Sequence, residues 1–178
     1  ARASRRRRFE LIMPGPCIMI LIESQRMKYS KLMKERVRRV SVLLRELGFE
    51  MLDGEFLEET YSAGFEGNDG FQGAIYIDRE SKFLELAYTF SFSSNLADFV
   101  QSKLEEMTQI CYEYGCYFTL QTTPREITFT VFSKIYFAGL NYYALKETVR
   151  DYREAVDSLT ELLELKSELG KGATGGNA

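Results

Sequence analysis

The residues best suited to chemistry are few and scattered. The chain of 178 residues contains no histidine, which removes the commonest general base, the commonest metal ligand and the usual pH switch together. A Ser-His-Asp triad or a Cys-His pair within the chain is thereby excluded. Three cysteines remain, Cys17, Cys111 and Cys116. Their odd number speaks against a disulfide framework, and three separated thiols without histidine do not make a zinc site. They are expected to be reduced, buried and apolar in behaviour, which suits a cytoplasmic protein. Carboxylates occur as Glu58-Glu59, Glu105-Glu106 and Asp69, where a solvated helix or loop face is the ordinary meaning. The stretch GFEGNDGFQG has glycines but lacks the Lys of a phosphate loop and opens no helix. The expectation is a protein that is not an enzyme, with no catalytic residue, cofactor or metal.

Binding chemistry is better represented. Aromatic residues make up 13% of the chain, as 13 Phe and 11 Tyr with no Trp, in a composition that is 45% hydrophobic and 28% charged. That balance fits one soluble domain with a real core. Charge is unevenly placed. Residues 1–50 carry 13 Lys and Arg against 5 Glu, a net of +8, while residues 51–178 carry 10 basic against 21 acidic, a net of −11. Such asymmetry can mean a basic arm that touches nucleic acid or anionic lipid. The plainer meaning is a basic segment lying near an acidic body. The start, ARASRRRRFELIMPGPCIMILIESQ, has the outline of a signal peptide. Glu10, Pro14 and Pro16 interrupt it, however, and Ile18 to Ile22 is too short to span a bilayer. Residues 1–26 are expected to be a mobile basic and apolar arm, residues 27–169 a single domain, and residues 170–178 a flexible tail.

The elements that must position these side chains follow from periodicity. Lys28 to Leu47 has Met33, Val37, Val40, Leu44 and Leu47 at helical steps, with Gly48 placed to end it. A Gly- and acid-rich stretch to residue 70 reads as a loop with at most one short strand near Phe56 to Tyr61. Phe71 to Ile77 and Lys82 to Ser93 read as a hairpin around DRES. Ser94 or Asn95 is a candidate cap for a helix whose stripe is Leu96, Phe99, Val100, Leu104, Met107, Cys111 and Tyr114. Cys116 to Thr122 is a strand with Cys116, Phe118 and Leu120 inward, and TPRE turns it into REITFTVFSKIYF. Asn141 caps a last helix in which Leu145, Val149, Tyr152, Val156, Leu159 and Leu163 form a heptad seam. The fold class is α+β: an antiparallel sheet of four or five strands with three helices, in the order α-β-β-(β)-α-β-β-α.

Strand REITFTVFSKIYF, residues 125–137, poses the functional question. Its odd positions Ile127, Phe129, Val131, Ser133, Ile135 and Phe137 can supply a core, since alternate side chains share a face. Its even positions hold two Thr and two aromatics beside one Glu and one Lys. With its neighbours, the even face is expected to gather Tyr76, Tyr117, Thr119, Gln121, Thr128, Thr130, Phe132 and Tyr136. Thr alone is ordinary on a solvated sheet. A contiguous aromatic patch marks an interface, unless the amino-terminal arm or the stretch at 50–70 folds over it.

The hairpin GAIYIDRESKFLELAYTFSF, the helix LADFVQSKLEEMTQICYEYG, and the hairpin CYFTLQTTPREITFTVFSKIYF before NYYALKETVRDYREAVDSLTELLEL carry a resemblance. Over about residues 27–165 their order resembles that of YbjN-like and type III secretion chaperone-like proteins. The resemblance is architectural and implies a dimeric, non-enzymatic binder of other polypeptides, with a regulatory link. The sequence departs from the small secretion chaperones in its basic amino-terminal arm. Two interfaces are candidates for a homodimer, the aromatic sheet face and the seam of the last helix. The alternative is a nucleic-acid binder using RRRR and the basic first helix, with sheet aromatics stacking on bases. The strands, though, do not interleave aromatics with basic residues.

Overall fold

The first helix, α1 (Lys31–Glu46), buries Met33, Val40 and Leu44 along one stripe. It stops at Gly48, whose φ of 85° lies where a side chain is disfavoured. The computed structural model describes residues 31–57 and 59–171, with side chains as far as Leu163. The amino-terminal segment 1–26 with Cys17, Glu58, and the glycine-rich end from residue 172 lie outside it.

Seven strands follow α1, interrupted by one helix: β1 (Phe49–Met51), β2 (Glu55–Leu57), β3 (Thr60–Gly67), β4 (Gln72–Asp78), β5 (Phe83–Ser93), α2 (Ala97–Glu113), β6 (Tyr117–Thr122) and β7 (Glu126–Tyr136). The chain closes with α3 (Tyr142–Lys171). All pairings are antiparallel, in the order β1-β3-β4-β5-β7-β6, with β2 beside β1 on the same side of β3. The fold is α+β with three helices, as the periodicity implies. The strand count is higher than expected because residues 49–67 form three strands instead of a loop with one short strand near Phe56 to Tyr61. Those strands therefore widen the sheet, and of these residues Leu52 reaches over its second face, at Gly64.

The helices all pack on one face. α1 and α3 bury Met33, Leu44, Leu145, Val149 and Tyr152 against Phe65, Ile75, Ile77, Leu84 and Leu86. α2 and the later turns of α3 bury Met107, Cys111, Leu159 and Leu163 against Phe129 and Val131. The odd face of β7 is thus the core face: Ile127, Phe129, Val131 and Ser133 are buried, while at the even positions Thr128, Thr130 and Phe132 are half-buried and Glu126, Lys134 and Tyr136 exposed. The heptad seam of α3 is consumed here. Every one of its six residues is at most 6% exposed, held by the sheet and neighbouring helices of the same chain, so it cannot serve as a dimer interface. The hydroxyl of Tyr152, at the centre of that seam, has no hydrogen-bond partner among the described residues.

Connections are pinned by specific side chains. Asn141 accepts the Ala144 N–H at 3.0 Å and caps α3 as its position suggests. At α2 the expected cap is not made. A 3₁₀ turn over Ser94–Leu96 delays the helix, and the Ser94 hydroxyl donates instead to the Pro124 carbonyl in the β6–β7 turn at 3.1 Å. Leu96, expected in the apolar stripe, is 41% exposed as a result. Arg36 and Arg39 of α1 act as clamps. Arg36 donates to the Ser81 carbonyl in the β4–β5 turn at 2.8 Å and lies 4.5 Å over the Phe137 ring. Arg39 donates to the Leu140 carbonyl ahead of α3. Part of the basic character of α1 therefore holds turns in place.

Candidate functional site

The second face of the sheet carries no helix among the described residues, and its side chains fall into cross-strand rows. Register places Tyr117 of β6 opposite Phe132 of β7, Thr119 opposite Thr130, and Gln121 opposite Thr128. On the other flank of β7, Phe132 faces Ala87, Lys134 faces Glu85 and Tyr136 faces Phe83. Tyr76 of β4 lies opposite Glu85. All eight residues anticipated for this surface therefore share it. Tyr136 is 56% exposed and Tyr76 37%, with Tyr117 and Phe132 half-buried.

The rows are organised by specific contacts. Tyr117 and Phe132 stack with centroids 5.3 Å apart and planes 16° off parallel. Phe83 and Tyr136 meet edge to face at 5.9 Å. The Thr89 and Thr130 hydroxyls are 3.0 Å apart. Lys134 Nζ sits 5.2 Å from the centroids of both the Phe83 and Tyr117 rings, a geometry in which ring quadrupoles attract the cation. The Tyr117 hydroxyl donates to Glu85. Burial, then the bond to Glu85 and its charge, raises the hydroxyl's pKa above its ordinary value. Glu85 and Lys134 thus offset each other at the centre of an aromatic and hydroxyl surface, with Glu126 at its margin.

Phe83, Glu85 and Ala87 of β5 belong to this surface but were not singled out from the sequence. The signal was present: once Leu84 and Leu86 of β5 point inward, the residues between them must point outward. Leu52 was also missed. It extends over the outer side of Gly64, where a Cβ would lie 3.0 Å from Leu52 Cδ1, and it is 49% exposed. Leu120 differs from expectation in another way. It is on the core side, but β6 is the outermost strand among the described residues, and Leu120 is 39% exposed.

The residues able to do covalent chemistry lie elsewhere. Cys111 and Cys116 bracket the end of α2, where Gly115 has a φ of 64° and the Cys116 N–H donates to the Cys111 carbonyl at 2.7 Å. The two thiols are free. Burial, with the neighbouring Cys116, pushes the Cys111 thiol up to about 12. Burial also raises Cys116, to about 11, against the opposing pull of a hydrogen bond with Ser133. Neither thiol is a nucleophile near neutrality. No group of three or more Cys, Asp or Glu among the described residues could hold a metal ion.

These shifts have one sign and a measurable consequence. Tyr61, Tyr117 and Tyr152 are also raised, burial being the first cause in each. In the unfolded chain the thiols ionise near their ordinary pKa of about 8.5 and the tyrosines near about 10. The stability these groups contribute is therefore complete below about pH 8.5 and is lost as pH rises towards the folded values near 11 and above. The melting temperature is expected to fall steadily from about pH 8.5 to about 11. A flat or rising profile over that interval would show that these groups are not buried as described.

The class of protein defined by this geometry is an α+β domain whose second sheet face, among the described residues, is aromatic and carries no helix. No family model matches the sequence, and no curated protein matches it at a significant level. A solved structure, the crystal structure of an uncharacterized protein from Methanothermobacter thermautotrophicus, is similar in fold. The TM-score is 0.51 at 16% identity, covering 71% of this chain and 96% of that one. No helix among the described residues is long and apolar enough to cross a membrane.

Proposed function

We propose that this chain is a non-enzymatic protein-binding module, a chaperone-like or regulatory adaptor, that holds a segment of another polypeptide on its second sheet face. The resemblance to YbjN-like and type III secretion chaperone-like proteins points the same way. The observation that carries the reading is the Tyr117–Phe132 stack, flanked by the exposed Tyr136 and Tyr76, on a face whose two central charges neutralise each other. Such a surface suits a segment rich in aromatic or aliphatic side chains and poor in charge, with the threonine hydroxyls available to its main chain. The free, protonated thiols are consistent with work in the reducing cytoplasm. Recruitment of Arg36 and Arg39 to hold turns favours this face over the basic helix as the binding surface.

The test is capture from native lysate with the unaltered chain and with a Phe132→Ser, Tyr136→Ser double variant, followed by titration of the captured polypeptide. A loss of at least about tenfold in affinity, about 1.4 kcal/mol, is expected for the double variant. Equal binding by both proteins would remove the face from the function. Salt-sensitive capture of nucleic acid, unaffected by the double variant, would favour the basic helix instead.

A further inference from the structure

The two edges of the sheet are built differently. One edge is made of β1 and β2, three residues each, carrying Glu50 and Glu55. Short strands and charges are the usual devices that stop a sheet from growing. The other edge is β6, six residues, YFTLQT, with no charge and no proline. Its last four residues are exposed. Among the described residues β6 pairs with β7 alone.

The hydrogen-bond phase of this edge is set by the turn. The Thr123 N–H donates to the Glu126 carbonyl at 2.8 Å. Counting back along the antiparallel register, Gln121, Thr119 and Tyr117 exchange bonds with β7, and the main-chain groups of Phe118, Leu120 and Thr122 point outward. We infer that this edge is where a second copy of the chain docks, β6 against β6 in antiparallel fashion, with the two-fold axis at Leu120.

The fit to a second copy is specific. Centring the axis on Leu120 opposes Phe118 to Thr122 of the other copy and Leu120 to itself, so all three outward-facing residues are used. Thr119 then meets Gln121, and no charge faces a like charge. Leu120, 39% exposed, is covered by its own symmetry mate. Beyond the strand, the same register sets Arg125 opposite Gly115 of the other copy, at the carboxyl end of its α2, close to Glu113. Helix carboxyl ends attract cations. The side chains of Arg125 and Glu113 are both exposed and form no hydrogen bond or ion pair among the described residues. Because the opposite edge is blunted, copies cannot add head to tail, and the assembly closes at two. The inference is independent of the binding role given to the second face.

Five paired strand residues form an interface below the standard size of roughly 800 Å² per partner, so the association should be reversible. Sedimentation of the full chain over roughly 5 to 200 μM is expected to show a monomer–dimer equilibrium. Leu120→Lys places two ammonium groups on the axis. Leu120→Pro removes an outward N–H and leaves the β7 ladder intact. Each should weaken the dimer at least about tenfold while the melting temperature of the monomer moves by only a few degrees. Arg125→Glu should also weaken it, and Glu113→Arg added to that variant should restore it. A chain that stays monomeric over the whole range overturns the inference, whether its edge is idle or occupied by its own amino-terminal segment. A dimer untouched by both Leu120 variants also overturns it, as does one abolished only by Phe132→Ser with Tyr136→Ser.

Discussion

Phe129→Ser is expected to lower folding stability by on the order of 3 kcal/mol or more, whereas Phe132→Ser, three residues along the same strand, should cost about 1 kcal/mol. Phe129 is fully buried. It packs against Phe118 at 4.9 Å and Phe90 at 5.8 Å beneath α2 and α3. Replacing it leaves a cavity lined by rings and helix side chains and buries a hydroxyl in apolar surroundings. Phe132 is half-buried, and it stacks on the Tyr117 ring on a face that carries no helix among the described residues. Serine there loses one stacking partner and opens no cavity. Urea midpoints of the two variants, with unchanged slopes, measure the difference. Equal losses would mean that the second face is as thoroughly covered as the first, and a binding role for it would fail. A reversed order would put the core on the even positions of β7.

Gly73→Val is expected to destabilise the domain nearly as strongly, by about 3 kcal/mol. Gly73 lies directly across from Phe65 in the β3–β4 pair. A Cβ at this position would sit 2.6 Å from Phe65 Cζ. The ring has nowhere to go, because Phe49 meets it edge-on at 5.5 Å and Phe71 lies at 6.3 Å. The informative variant is the pair Phe65→Leu with Gly73→Val. If the clash is the cause, the double variant should be more stable than the sum of the two single losses by at least about 1 kcal/mol. Additive losses would show that Gly73 is required for its backbone and not for the space above it.

The same contact explains why part of the fold was hidden in the sequence. Helices α1, α2 and α3, the hairpins and the inward parity of β7 are legible because apolar residues repeat at the spacing of the element that buries them. Residues 49–67 do not announce themselves. Their glycines read as loop, yet Gly64 and Gly67 lie in β3 beneath Leu52 and Phe49 of the segment beside it, as Gly73 of β4 lies beneath Phe65. Local propensity counts a glycine as a broken strand. Tertiary packing uses it as the space into which a neighbouring ring folds. That information depends on register, which single-strand periodicity does not contain. The candidate surface divides along the same line. Tyr117, Thr130 and Phe132 follow from parity, whereas the Glu85–Lys134 opposition and the cover of Leu52 over Gly64 require knowing which strands are adjacent. The seam of α3 shows the converse, since a heptad pattern that suits a coiled coil serves equally well to lay a helix on a sheet.

The eleven-residue register between β5 and β7 has a consequence for the newly made chain. β5 leaves the first half of the molecule as the open margin of a meander, and its mate arrives only after α2 and β6 have been synthesised. During that interval FLELAYTFSF presents an unpaired, strongly apolar ribbon to whatever is nearby. In the finished protein the vulnerable margin is β6, which is short, while during synthesis it is β5, which is long. The hazard of misassembly is therefore greatest on the ribosome and before the seventh strand emerges, and a chain stalled or truncated near residue 125 would aggregate more readily than the completed one.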